Sequence, residues 1–285
     1  MRKSLRQITF RLYLSFFASV LFVFFKLIEG IPRGPKVSTF FLEKVWGRSQ
    51  KIQTTKGEVY FSCPDWLSRY RAKTLYEKEP ETIAFIHSFD SNSIFWDIGA
   101  NIGIYSIYAG KVKGARTYSF EPSLLNVELL FRNIQLNNLS KKITIIPIAL
   151  SNKTSILDLY MSKNDLRWAG AHNSMGSNTS FTGDGMTRYI TSSQISCTGQ
   201  DMVEVFELPI PSHIKIDVDG LEGDVIEGLG RLVKEVSFIL VEVDYSNKLL
   251  NKQVERLMES HNFIRLMEAF NHKYSGNQLW KNSEK

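Results

Sequence analysis

From residue 94 to the C-terminus, short apolar runs alternate with helix-patterned segments, a pattern met by a parallel sheet with crossover helices and by few other folds. Strands are expected at 94–98, 115–120, 143–150, 213–218 and 237–243, with helices at 102–111, 123–137, 222–229 and 248–261. Runs 156–161 and 189–197 also have strand character, no helix separates the first of them from strand 143–150, and 200–206 reads as a short helix. The final runs, 264–269 and 277–281, are joined by a hairpin-like connection at 271–276, so an antiparallel strand should end the sheet. Residues 162–188 are polar and rich in Gly, Ser and Asn. So long a stretch inside an α/β domain reads as a functional loop or lid.

Upstream, residues 12–25 carry no charge and are flanked by Arg2, Lys3, Arg6, Arg11 and Lys26. The run is shorter than the roughly 20 residues that span hydrocarbon. Counting from Ile8 and letting Arg11 and Lys26 snorkel brings it near that length. Phe24, Phe25, Lys26, Leu27 and Ile28 follow where a cleavable signal would show small residues. Residues 8–28 therefore read as an uncleaved membrane anchor or interfacial helix, the alternatives being a helix docked on the protein's own core and a signal peptide. Basic residues on both sides leave its orientation open. The organisation expected is a helix and linker at 1–34, a lead-in at 35–92 and an α/β domain at 93–285. In the lead-in, a strand at 58–62 and a helix starting near Glu79–Pro80 are legible. The net charge of +6 suits anionic lipid, nucleic acid or an acidic substrate and selects none of them. Two distant cysteines, Cys63 and Cys197, fit a reducing compartment, so the α/β domain is expected in the cytoplasm.

The sharpest local signal is Asp97-Ile-Gly99-Ala-Asn101-Ile-Gly103, which follows an apolar strand and opens a helix. Gly99 permits a tight turn and close backbone approach, Gly103 lets the helix pack on its strand, and the helix N-terminus offers free N–H groups. Glu121 ends the next strand, where a nucleotide site keeps an acid for ribose hydroxyls. Asn101 stands where a dinucleotide site has glycine, and the carboxylate of Asp97 repels phosphate but accepts from an ammonium group. The turn therefore suits S-adenosyl-L-methionine better than NAD. A second constellation, Lys215-Ile-Asp217-Val-Asp219-Gly-Leu-Glu222, lies where the fourth parallel strand meets its helix. Asp219 and Glu222 can form a capping box. Asp217, in an apolar strand, and Glu242, in Val241-Glu-Val-Asp244, are harder to explain as structure. They could act as base, bind a cation or orient a substrate hydroxyl, with a salt bridge to Lys215 as the plainer alternative. His172 in the long loop is a further candidate base, and a solvent-exposed loop histidine its plainer reading.

Taken together these residues resemble the FkbM-type methyltransferases, a class I S-adenosylmethionine-dependent group. The resemblance rests on Phe95–Ser106, Phe120-Glu-Pro122, Asn133-Ile-Gln-Leu-Asn137 with Ala149-Leu-Ser151, and Lys215–Glu222, and it spans roughly 70–270. Glu79-Pro-Glu-Thr82 is similar to the family's lead-in. Asp219 departs from the glutamate common in Asp-Val-Glu-Gly but keeps an acid. The resemblance implies a Rossmann-like, seven-stranded, mostly parallel sheet with an antiparallel last strand. It implies that Asp97, Gly99, Asn101 and Gly103 surround the donor's methionine part, Glu121 its ribose and the backbone near Ala149 its adenine. Asp217 and Glu242 match strand ends that bear metal ligands in catechol-type O-methyltransferases. The Asp-Asn pair expected beside them is missing, so no metal is expected. The expected reaction is O-methylation of a hydroxyl on a sugar, glycan or glycolipid, with residues 8–28 holding the enzyme near membrane-borne acceptor. The alternatives are a small natural product as acceptor, N-methylation of protein or nucleic acid, and a non-enzymatic donor-binding module. No Asn-Pro-Pro-Tyr motif is present, so nucleic acid is not expected as a partner.

Overall fold

A run of apolar residues wound as one helix opens the chain. The computed structural model describes residues 2–162, 168–170, 174–175, 189–270 and 275–285. Helix α1 spans Arg2–Glu29 and α2 spans Gly34–Trp46. Arg33 turns the chain between them at φ 70°, and Pro35 sits in the first turn of α2, where its missing N–H costs nothing. A Cβ on Gly34 would stand 1.6 Å from the Ile28 carbonyl oxygen, so only glycine allows this reversal. The rings of Phe25 and Phe41 meet at 5.2 Å. Residues Leu12–Glu29 are long and apolar enough to cross a membrane by length and composition, a test that a signal sequence also passes, and none of them is buried. Met1–Arg48 make one unit of the fold and Ser49–Lys285 the other.

The second unit begins with a hairpin, β1 (Ser49–Thr54) and β2 (Gly57–Ser62), of which the first strand has no clear sequence signal. Helices α3 (Trp66–Lys73) and α4 (Pro80–His87) follow. The alternation then unfolds as β3 (Ile94–Ile98), α5 (Ile104–Val112), β4 (Arg116–Phe120), α6 (Leu124–Leu136) and β5 (Ile143–Ile146). The run 143–150 is not one strand. It breaks at Pro147, which has no N–H to donate, and Ala149–Leu150 become β6 in a different sheet. There β6 lies with β7 (Ser155–Ser162), β8 (Ser174–Met175) and β9 (Tyr189–Cys197) in the order β6-β9-β7-β8. After α7 (Gly199–Glu204), β10 (His213–Ile216), α8 (Glu222–Leu229), β11 (Phe238–Asp244) and α9 (Lys248–Ser260) resume the alternation, and β12 (Phe263–Phe270) and β13 (Ser275–Asn282) end it.

The main sheet has the order β12-β13-β11-β10-β3-β4-β5, and β13 alone runs antiparallel to its neighbours. It is a Rossmann-like α/β sheet of seven strands. Both faces are covered, so successive residues of a strand feed opposite cores: Phe95 and Leu240 enter one cluster, and Trp96, Ile98, Ile239 and Val241 the other. His213 opens β10 inside the aromatic layer, 4.3 Å from Phe89 ring to ring, and burial pushes its pKa down to about 4.

The motif Asn133-Ile-Gln-Leu-Asn137 has a structural meaning. The two amides lie one turn apart on α6 and act as a substitute strand for β2. Asn133 accepts from the Ser62 N–H at 2.7 Å and donates to the Ile102 carbonyl at 2.7 Å. Asn137 accepts from the Tyr60 N–H at 2.9 Å and donates to its carbonyl at 2.7 Å. Asn133→Ala strands a buried N–H and a buried carbonyl together. Urea unfolding should show a loss of about 2–4 kcal/mol, and a change under about 0.5 kcal/mol would contradict this role.

Candidate active site

Sheet register places the acids. Lys215 on β10 pairs with Asp97 on β3, Asp97 pairs with Ser119 on β4, and Lys215 pairs with Leu240 on β11. One pleat further along, the same register sets Glu242, Asp217, Gly99 and Glu121 in a row across the carboxyl edge of the sheet. Four residues scattered over 144 positions of sequence thus become lateral neighbours. Ligands of open α/β sheets bind at this edge.

Gly99 is the tightest point of the row. Its φ is +82°, and a Cβ there would stand 1.8 Å from the Asp217 carbonyl oxygen. The close approach that demands glycine is therefore strand against strand. The N–H groups of Gly99 and Ala100 both donate to the Phe120 carbonyl, at 2.9 and 3.0 Å. Asn101 has φ 52°; its N–H donates to Glu121 at 2.8 Å and its amide to the Gly170 carbonyl at 2.7 Å. A Cβ on Gly103, at φ +77°, would stand 2.2 Å from Leu130, so the close packing here is against α6 rather than against the preceding strand. Asn126 also donates to Gly170, at 3.2 Å, and Arg71 donates to Ala169 at 2.8 Å. Residues 168–170 of the long polar segment thus dock on the turn.

Asp97 is buried and accepts from the Ser106 hydroxyl, which also bonds Ser119. Burial pushes its pKa up to about 6 against the pull of Lys215. Glu121 accepts from the N–H groups of Asn101 and Ser123, both at 2.8 Å, yet burial still pushes it up to about 7. Glu222 accepts from the Gly220 N–H at 3.0 Å and is likewise pushed up by burial to about 7. The capping box expected of Asp219 and Glu222 does not form. Asp219 and Gly220 both have positive φ, which carries the chain past the cap, and Leu221 takes that position without a side-chain bond.

At the centre stands Lys215, 1% exposed, its Nζ 2.7 Å from Asp217 and 3.6 Å from Glu79. Both carboxylates hold its pKa above the usual lysine range despite burial. Glu79 also takes Lys78 at 2.8 Å and the Thr82 hydroxyl at 2.9 Å. Burial opposes ionisation of Asp217, but the ammonium groups of Lys215 and Lys78 hold it low. Glu242 hydrogen-bonds Asp217 and is driven well above the usual range by burial and by that neighbouring charge. The salt bridge to Lys215 that the sequence left open is therefore made by Asp217. An open cleft with about 430 Å³ of empty space is lined by Asp97, Gly99, Asn101, Tyr105, Lys215 and Asp217, and also by Arg71, Lys78 and Glu79 from the lead-in. These last three were not among the expected site residues; the signals were a glutamate directly before a helix-opening proline and the family-like Glu79-Pro-Glu-Thr82, both at Glu79 alone. Ala149 lies on β6 and is buried. His172 lies outside the described residues.

The raised carboxyls give the fold a pH dependence. A glutamate whose folded pKa is about 7 stabilises the fold below its unfolded value near 4.5 and loses that contribution as pH rises to 7. Stability should fall between pH 5 and 8, and Glu121→Gln should remove on the order of 1–3 kcal/mol of that fall. Thermal unfolding of both proteins at pH 5.5 and 8 tests this; equal slopes with pH would refute it.

The chain is similar to known methyltransferases. Residues 97–273 match the family model described as methyltransferase FkbM domain. A hexuronic acid methyltransferase, AglP, of Haloferax volcanii is 24% identical over 176 residues, 61% of this chain and 65% of that protein. The aligned region thus falls just short of two thirds of that relative's length. Among solved structures, the fibrillarin pre-rRNA processing protein of Methanococcus jannaschii aligns with TM-score 0.47 and 11% identity over 85% of each chain. TrmK of M. capricolum in complex with S-adenosyl-homocysteine aligns with TM-score 0.45 and 12% identity over 71% of this chain and 68% of that one. The match covers more than half of the chain and includes both acid-bearing motifs. The chain belongs to the FkbM methyltransferase family.

Proposed function

We propose that this enzyme methylates a hydroxyl oxygen on a sugar of a glycan or glycolipid. The observation that carries the reading is the acid row, in which Asp217 and Glu242 continue the line of Gly99 and Glu121 along one sheet edge. S-Adenosylmethionine, when bound, supplies an electrophilic methyl carbon. Asp97 would accept from its ammonium group, and the turn Gly99–Gly103 would surround its methionine part. Glu121 would accept from its ribose hydroxyls, and the backbone at Ala149 would meet its adenine. That leaves Asp217 and Glu242 for the acceptor.

The enzyme's own contribution is alignment of an acceptor hydroxyl in line with the bond to be broken. A new O–C bond forms as the methyl group leaves sulfur, and the hydroxyl proton passes to Asp217. An ether oxygen that still carries that proton is a far stronger acid than a carboxylic acid, so an ionised Asp217 is base enough. The similarity to a hexuronic acid methyltransferase supports a sugar acceptor. Membrane association through residues 8–28 is part of the same proposal. Residues 1–48 hold nine Lys/Arg and two Asp/Glu beside the apolar run, a charge suited to anionic lipid.

Labelled methyl transfer from S-adenosylmethionine to uronic-acid-bearing glycans, amines and proteins tests the reading. The label should appear as an alkali-stable ether, and Asp217→Asn should cut kcat by about 10²–10⁴ while S-adenosylhomocysteine still binds. Label on nitrogen, or full activity of the Asp217→Asn enzyme, would overturn it.

A further inference from the structure

Glu79, Asp217 and Glu242 offer carboxylate oxygens that all lie within 4.8 Å of one another, a spacing that could hold a divalent cation. A cation is already there. The Lys215 ammonium contacts Asp217 at 2.7 Å and Glu79 at 3.6 Å and stands 5.1 Å over the Tyr105 ring. We propose that Lys215 is a built-in cation, doing for this enzyme what a divalent metal does in metal-dependent methyltransferases. It holds Asp217 in place beside the glycine turn, and it makes the cluster refuse a metal. The proposal rests on the reading of Asp217 as the acceptor-side acid, but its test does not.

The cluster already holds its own cations. Lys215 contacts Asp217 and Glu79, and Lys78 contacts Glu79 at 2.8 Å. A divalent cation held by these oxygens would have to come close to a buried ammonium. The position of Lys215 also argues for purpose. It sits on a central strand with its side chain almost wholly buried, while its neighbours Ile214 and Ile216 fill the opposite core. Burying an ammonium there is costly unless its partners are fixed, and they come from two separate places. Asp217 follows on the same strand. Glu79 comes from the lead-in, ahead of the residues that match the family model.

The test uses the full chain and Mn²⁺ alone, with neither donor nor acceptor present. Wild type should leave the free Mn²⁺ electron paramagnetic resonance signal unchanged. Lys215→Met should bind about one equivalent of Mn²⁺ and gain thermal stability with it. Both effects should vanish in the double variant Lys215→Met with Asp217→Asn. Lys215→Arg should keep the refusal of metal, which separates charge from mere packing. Mn²⁺ binding by wild type at this cluster would overturn the proposal whether or not Lys215→Met folds. A folded Lys215→Met that binds no Mn²⁺ would overturn it too. Failure of the sugar-hydroxyl reading would leave these metal results unchanged, so the two can be told apart.

Discussion

The close contact of Gly99 with the Asp217 carbonyl fixes the register on which the rest of the site depends. With no room for a Cβ, β3 and β10 approach at their carboxyl ends and set Asp97 beside Lys215. From that one pairing the neighbours follow on both sides: Ser119 and then Glu121 toward β4, Leu240 and then Glu242 toward β11. A slip of one residue between any two strands would turn an acid into the opposite core. The apolar alternation that fills the two cores therefore also holds the carboxylates in line.

The acids are costly where they stand. Asp97, Glu121 and Glu222 are each pushed up by burial, so the fold opposes their ionisation. The parts of the site that are not costly are those with internal partners: Lys215 with Asp217 and Glu79, and Lys78 with Glu79. This division matches a cleft with one end held open for a charged ligand and the other balanced within itself. The lead-in from residue 49 onward belongs to the same unit as the cleft. It supplies Glu79, Lys78 and Arg71 to the cleft, and β2 is tied to α6 by two asparagines.

Much of this was legible in the sequence because it depends on local pattern. The glycine turn, Glu121 at the next strand end and the family motifs need only a few neighbouring residues to be seen. Strands β3 and β4 fall within a residue of where apolar runs place them. What escaped depends on contacts far apart in the chain. Glu79 reaches Lys215 across more than a hundred residues, and nothing near it in sequence announces that partner. The break of 143–150 into two sheets was hidden because Pro147 interrupts a continuous apolar run without changing its hydropathy. The capping box at Asp219 failed for a backbone reason, two successive left-handed residues, that side-chain identities do not encode.

The central claim is that the turn at Gly99 and the carboxylate of Glu121 together hold the methyl donor. Calorimetric titration of the full chain with S-adenosylhomocysteine tests it most directly, with Asp97→Ala and Glu121→Ala titrated alongside. The account predicts one site per chain in the wild type and a loss of about tenfold or more in affinity in each variant, as expected when a charged hydrogen-bond partner is removed. A wild type that takes up no ligand, or variants that bind as tightly as it does, would contradict the account.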